Sequence, residues 1–234
     1  MIQNYADFCR ELLAAGFSIA SGGNDEGVFG LLPYSWDNEP PDSLMRWHTG
    51  DPEHDLWEWR MRVLDERNDI AYSKVFFRKA GYITREWYPY FLAARRKGLT
   101  FDETYADGVI SHEAKRIYEA LREGNPVPLH ALKQLAGFGK EDKSEFGRGL
   151  VELQMRLFIT LCGRQQKMSQ RGEEYGWSST VFCTTEQFWG DDVFDQAAKI
   201  SADEADKAIT ERVYQLNPNA DAKKIKKCIC GGSI

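Results

Sequence analysis

The stretch from Ser111 to Thr184 constrains this chain more than any other, because it sets three amphipathic stripes and two apolar runs in a fixed order. Ser111 suits a helix N-cap. Ala114, Ile117, Tyr118 and Leu121 then fall at the i, i+3, i+4, i+7 spacing of one helix face, and Gly124 supplies the stop. Pro128 opens a second helix with Leu129, Leu132 and Leu135 inward, ended by Gly137. A third, from about Asp142, turns Phe146, Leu150, Leu153 and Leu157 inward, which predicts contact with Ile117, Leu121 and Leu132. Phe158 to Cys162 reads as a strand, Gly163 to Tyr175 as a polar excursion and Trp177 to Thr184 as a returning strand. Helices followed by two strands around a polar loop predict a winged helix-turn-helix core over residues 109–190.

The rest of the chain divides around that core, so the predicted fold class is α+β, mostly helical, with an N-terminal α/β extension. Residues 1–108 form this tryptophan-rich extension, packed on the core. It opens with a helix carrying Tyr5, Phe8, Leu12 and Ala15 on one face and Gly16 at its end. Glycines and prolines predict loop or a short hairpin from Gly16 to Met45. A helix follows from about Leu56 to Arg67, then a strand over Ile70 to Phe77, then a helix capped by Thr84 and running to about Arg96. Residues 191–234 supply a last helix, opened by the Ser201-x-x-Glu204 capping box and ending near Leu216, and a frayed tail beyond Pro218.

Charge separates the segments. The net charge is −6, yet residues 70–98 carry seven Lys or Arg (Lys74, Arg78, Lys79, Arg85, Arg95, Arg96, Lys97) against Glu86 alone, and residues 1–45 carry one against seven acids. An acidic protein that gathers its cations in one segment can still attract a polyanion there. Residues 109–190 hold eleven basic and ten acidic side chains. No apolar run reaches the roughly 18 residues that a bilayer demands. The N-terminus has Asp7 where a signal peptide would be cationic, so no membrane is implied and a cytoplasmic location is expected. The five scattered cysteines read as free thiols.

The run Gly81-Tyr82-Ile83-Thr84-Arg85-Glu86-Trp87-Tyr88-Pro89-Tyr90-Phe91, with the helix and turn of Ser111 to Leu132 and Gly149-Leu150-Val151-Glu152-Leu153-Gln154, resembles the AlkZ (YcaQ-like) group of winged-helix proteins. Trp47-His48-Thr49-Gly50-Asp51-Pro52 with Trp57-x-Trp59-x-x-Arg62 is similar to its AlkZ-related branch. The resemblance implies the fold and contact with nucleic acid. The group includes DNA glycosylases that use Gln, an aliphatic or aromatic residue, then Gln or Asp. No glutamine here is followed two positions later by Gln or Asp, so the resemblance does not carry glycosylase chemistry to this chain.

Candidate contacts follow from the third helix. With its apolar stripe buried, Lys143, Ser144 and Arg148 occupy the opposite face, Lys140 precedes them, and Lys167, Gln170 and Arg171 sit on the wing. Arg95 and Arg96 extend the set from the basic segment, whose aromatic residues read mainly as core. His48, Asp51, His54 and Glu58 match no standard zinc spacing, and turn and capping roles explain Asp51 and Asp55. No Gly-rich phosphate loop is present, and no cofactor is implied. The leading reading is weak, sequence-tolerant binding of DNA without evident catalysis. An enzyme with a diverged active site and a protein-interaction module remain as alternatives.

Overall fold

Asn4 starts the first helix by accepting a hydrogen bond from the Asp7 N–H, and Tyr5–Ala15 (α1) bury Phe8, Cys9 and Leu12. The computed structural model describes residues 2–25, 27–124, 126–167, 176 and 178–231. Phe17–Ile19 (β1) follows at once and pairs with Lys79–Thr84 (β3), which also pairs with Ile70–Phe76 (β2), all antiparallel in the order β1-β3-β2. Two expectations change here. A strand stands at Phe17–Ile19, where loop or hairpin was expected. Thr84 ends β3 rather than capping a helix, and the next helix, Tyr88–Arg96 (α3), begins later with Pro89 in its first turn.

Between β1 and β2 lies Leu56–Glu66 (α2), capped by Asp55. Asp55 is 1% exposed, and its carboxylate accepts from the backbone N–H groups of His48 (3.0 Å), Gly50 (2.8 Å) and Trp57 (2.8 Å). That carboxylate folds the Trp47-to-Pro52 segment onto the helix start, and His54 Nδ1 lies 2.8 Å from Asp51 Oδ2 beside it. The motif is a built loop. Among the described residues, no group of three or more His, Cys, Asp or Glu side chains is placed to hold a metal ion.

Phe101–Ala106 (α4), opened by a Thr100/Glu103 capping box, leads into His112–Arg122 (α5), capped by Ser111. Val127–Pro128 (β4), Leu129–Leu135 (α6), Lys143–Met155 (α7), Ile159–Gln165 (β5) and Ser179–Thr184 (β6) follow. The three strands form a second antiparallel sheet, order β4-β6-β5. Phe146, Leu150 and Leu153 join Ile117, Leu121 and Leu132 in one buried cluster that also takes in α1, α2 and both sheets. Two residues depart from the expected stripe. Leu157 is buried but lies in a second cluster, since α7 has ended and the residue turns at φ 61°. Leu135 is 63% exposed, because the chain reverses at Gly137 and Phe138 takes the inward place, edge-on to Phe146 at 5.4 Å.

Thr185–Trp189 (α8), Asp191–Ala197 (α9) and Ala202–Leu216 (α10) then pack with α3 in the second cluster. The segment expected to fray is instead a helix, Ala222–Cys230 (α11): Asp221 caps it and Ile225, Cys228 and Ile229 are buried. The chain is thus α+β, and its described residues form two small antiparallel sheets and more helices than strands. No helix of the described residues is long and apolar enough to cross a membrane, and all five cysteines are free.

Candidate nucleic-acid interface

Helix α7 has two contrasting faces. Gly149 sits on the inner one, where an added Cβ would lie 2.9 Å from the Ala114 backbone nitrogen, so a side chain there would push α7 off α5. Gln154 holds the same face. Its Oε1 accepts from Ser73 Oγ (2.9 Å) and from the Lys74 N–H (3.0 Å), while its Nε2 donates to the Leu150 carbonyl (2.9 Å). Through this side chain α7 is pinned to β2, and the β2–β3 turn is carried to the end of α7. The Arg78 N–H points at Met155 Sδ, 3.3 Å away.

The outer face opens on a cleft of about 1160 Å³. Lys143, Ser144, Gly147, Arg148 and Val151 line it from α7, with Arg156 just past the helix end. Phe77 and Arg78 close one side from the β2–β3 turn, and Lys227 and Gly231 another from α11. Five cations thus converge from three elements: Arg78, Lys143, Arg148, Arg156 and Lys227. Four carboxylates, Glu113, Glu141, Glu145 and Glu152, stand among them. Glu152 is already engaged, accepting from Ser111 Oγ (2.6 Å) and N–H (3.2 Å) and lying 3.6 Å from Arg156 Nε. Arg148 is exposed and, among the described residues, donates to Ser144 Oγ at 3.2 Å.

The expected contacts divide. Lys140, Lys143, Ser144 and Arg148 are exposed, the last three on the cleft, and Lys167 is half-buried beyond the end of β5. Gln170 and Arg171 lie outside the described residues. Arg95 and Arg96 turn inward, contrary to expectation. Arg95 donates to the carbonyls of Ile229 (2.9 Å), Met155 (2.8 Å) and Cys228 (2.7 Å), joining the ends of α7 and α11; burial pushes its guanidinium down to about 10. Arg96 is 9% exposed, paired with Glu186 (2.6 Å), bonded to Thr185 Oγ1 (2.7 Å) and stacked over Phe158. Their place at the end of α3, a helix buried on most sides, turns both guanidiniums to acceptors on packed neighbouring elements: backbone carbonyls for Arg95, and the Glu186 carboxylate and Thr185 hydroxyl beside a carbonyl for Arg96.

Arg78 belonged to the expected basic segment but not to the expected contacts, and Arg156 and Lys227 were missed. A signal for Lys227 exists: Asp221 as a cap, Ile225, Cys228 and Ile229 at i, i+3, i+4, and Gly231 as a stop describe an amphipathic helix whose other face holds Lys223, Lys224, Lys226 and Lys227.

A family model described as AlkZ related matches residues 2–230, nearly the whole chain. The chain belongs to the AlkZ-related family. No curated protein and no solved structure matches it. In this AlkZ-related chain the glutamine on α7, Gln154, is 2% exposed and spends both ends of its amide on internal partners.

Proposed function

We propose that this AlkZ-related protein binds nucleic acid in the cleft along the outer face of α7, with residues 109–190 acting as a winged helix and α7 as its recognition helix. The convergence of Arg78, Lys143, Arg148, Arg156 and Lys227 on one cleft carries this reading, because a phosphate backbone is the ligand that rewards cations spread along a groove. The winged-helix assignment is supported by the order α5-β4-α6-α7-β5-β6 and by a sheet in which β6 lies between β4 and β5. Residues 1–108 then serve as an extension that supplies Arg78, and residues 191–234 supply Lys227. Lys140 and Lys167 extend the contact beyond the cleft.

The carboxylates within the cleft keep this binding weak and tolerant of sequence, since they repel phosphates without reading bases. With about four phosphates neutralised, log affinity should fall with log salt at a slope near −4, and Arg148→Ala should flatten that slope by about 0.9 without altering sequence preference. Fluorescence anisotropy of labelled duplexes across a salt series measures both. Absence of binding at low salt, where attraction is least screened, would replace this reading with a protein-interaction module.

A second reading, a glycosylase-like enzyme with a diverged active site, is favoured by Glu141 and Glu145 on the cleft wall. Our reading expects no release of alkylated bases from duplex DNA. Release above the spontaneous rate that disappears in Glu145→Gln or Glu141→Gln would establish the enzyme instead.

A further inference from the structure

The β2–β3 connection is a two-residue turn, Phe77–Arg78, between the paired residues Phe76 and Lys79. Both central residues sit at positive φ, 52° and 61°, the pattern of a turn that favours Asn-Gly and disfavours an aromatic side chain. Strain of this kind persists where surrounding structure enforces it, and it concentrates at working sites. Here the enforcement is visible: Gln154 pins β2 to α7, and the Arg78 N–H rests on Met155. Phe76 is the core residue of the pair, 1% exposed, whereas Phe77 is only half-buried and lines the cleft, with the Lys224 ammonium 5.7 Å from its ring centroid. Phe77 thus packs against the second cluster and also lines the groove beside Arg78 and Lys224, and an aromatic ring beside cations in a groove is the arrangement that holds an unstacked base next to its phosphate.

We propose that Phe77 stacks on an unpaired base of a nucleic acid lying in the α7 cleft while Arg78 holds a neighbouring phosphate, so that the preferred ligand carries a bulged, mismatched or single-stranded nucleotide. This rests on the nucleic-acid reading above and adds the class of ligand. Stacking on one base changes affinity by about 5- to 150-fold.

Anisotropy titrations of the full chain with a perfect duplex and with the same duplex bearing one bulged adenine test it. Wild type should favour the bulged duplex by a factor in that range. Phe77→Leu and Phe77→Asn should bring the ratio of the two affinities close to one while the salt slope on either duplex is kept, because no cation is removed, and Phe77→Tyr should retain the preference. Because asparagine tolerates the left-handed turn, Phe77→Asn should also hold or raise the melting temperature. The proposal is overturned if wild type shows no preference, if Phe77→Leu keeps it, or if Phe77→Asn loses it only together with a fall in melting temperature. Failure to bind either duplex would overturn the nucleic-acid reading itself, a result distinct from these.

Discussion

Replacing Arg95 by Met should lower stability by about 3 to 5 kcal/mol, more than any exposed arginine of the chain. The substitution leaves the carbonyls of Met155, Cys228 and Ile229 without their donor, and each buried acceptor so stranded costs about 1 to 3 kcal/mol before relaxation. It also removes a positive charge from the ends of two helices, where the aligned peptide dipoles favour one. For a protein of this size that loss corresponds to a fall in melting temperature of roughly 6 to 20 °C. Arg95→Lys should recover only part of it, because one ammonium cannot reproduce the planar fork that reaches three carbonyls. Differential scanning calorimetry of the three proteins decides the matter, and a drop below about 1 kcal/mol for Arg95→Met would show that the clasp is dispensable.

Neutralising Arg78, Arg148 and Lys227 together should all but remove duplex binding. The three come from three elements, so the combined variant tests whether the cleft acts as one site rather than testing one helix. With about 0.9 of slope per phosphate contact, the slope should shrink from near −4 to near −1, leaving only residual attraction at low salt. All three side chains are exposed, so the folded state should be preserved, and circular dichroism with a melting curve checks this. A triple variant that keeps a slope near −4 would move the binding surface elsewhere on the molecule.

Helix α5 was legible because amphipathic period, the Ser111 cap and the stop at Gly124 all agreed, whereas α7 was legible from its apolar period alone, without a capping hydrogen bond or a glycine stop, so that its expected stripe ran on to Leu157. The first sheet was not. Phe17–Ile19 is three residues long, and β3 contains Gly81, which reads as a breaker. Its lack of a Cβ is a packing demand, since that atom would fall 2.3 Å from the Phe76 ring. Helix α11 was obscured by its lysines, and its stripe uses Cys228, a thiol that burial pushes up to about 12 and that packs as a small hydrophobe. Charge runs alone also misled: Arg95 and Arg96 adjoin Lys97 in sequence, yet the first two face the interior and Lys97 faces water. The cleft itself is a spatial object. Nothing local joins Arg78 to Lys227; the carbonyl clasp of Arg95 and the amide of Gln154 do.

Gln154 and Arg95 have a consequence for how the site comes into being. The walls of the cleft stand near positions 78, 148 and 227, so each is separated from the next by some 70 residues or more of intervening chain. Closing loops of that length is paid for in entropy before any wall meets another, and the return comes only when the interior contacts lock. The complete groove therefore exists only in the tertiary fold: α7 and its end carry Lys143, Arg148 and Arg156 together, but the walls at Arg78 and Lys227 meet them only when the interior contacts are made. Occupancy of the groove is in that sense a report on the integrity of the whole chain, in contrast to a reader helix that works from one self-contained segment.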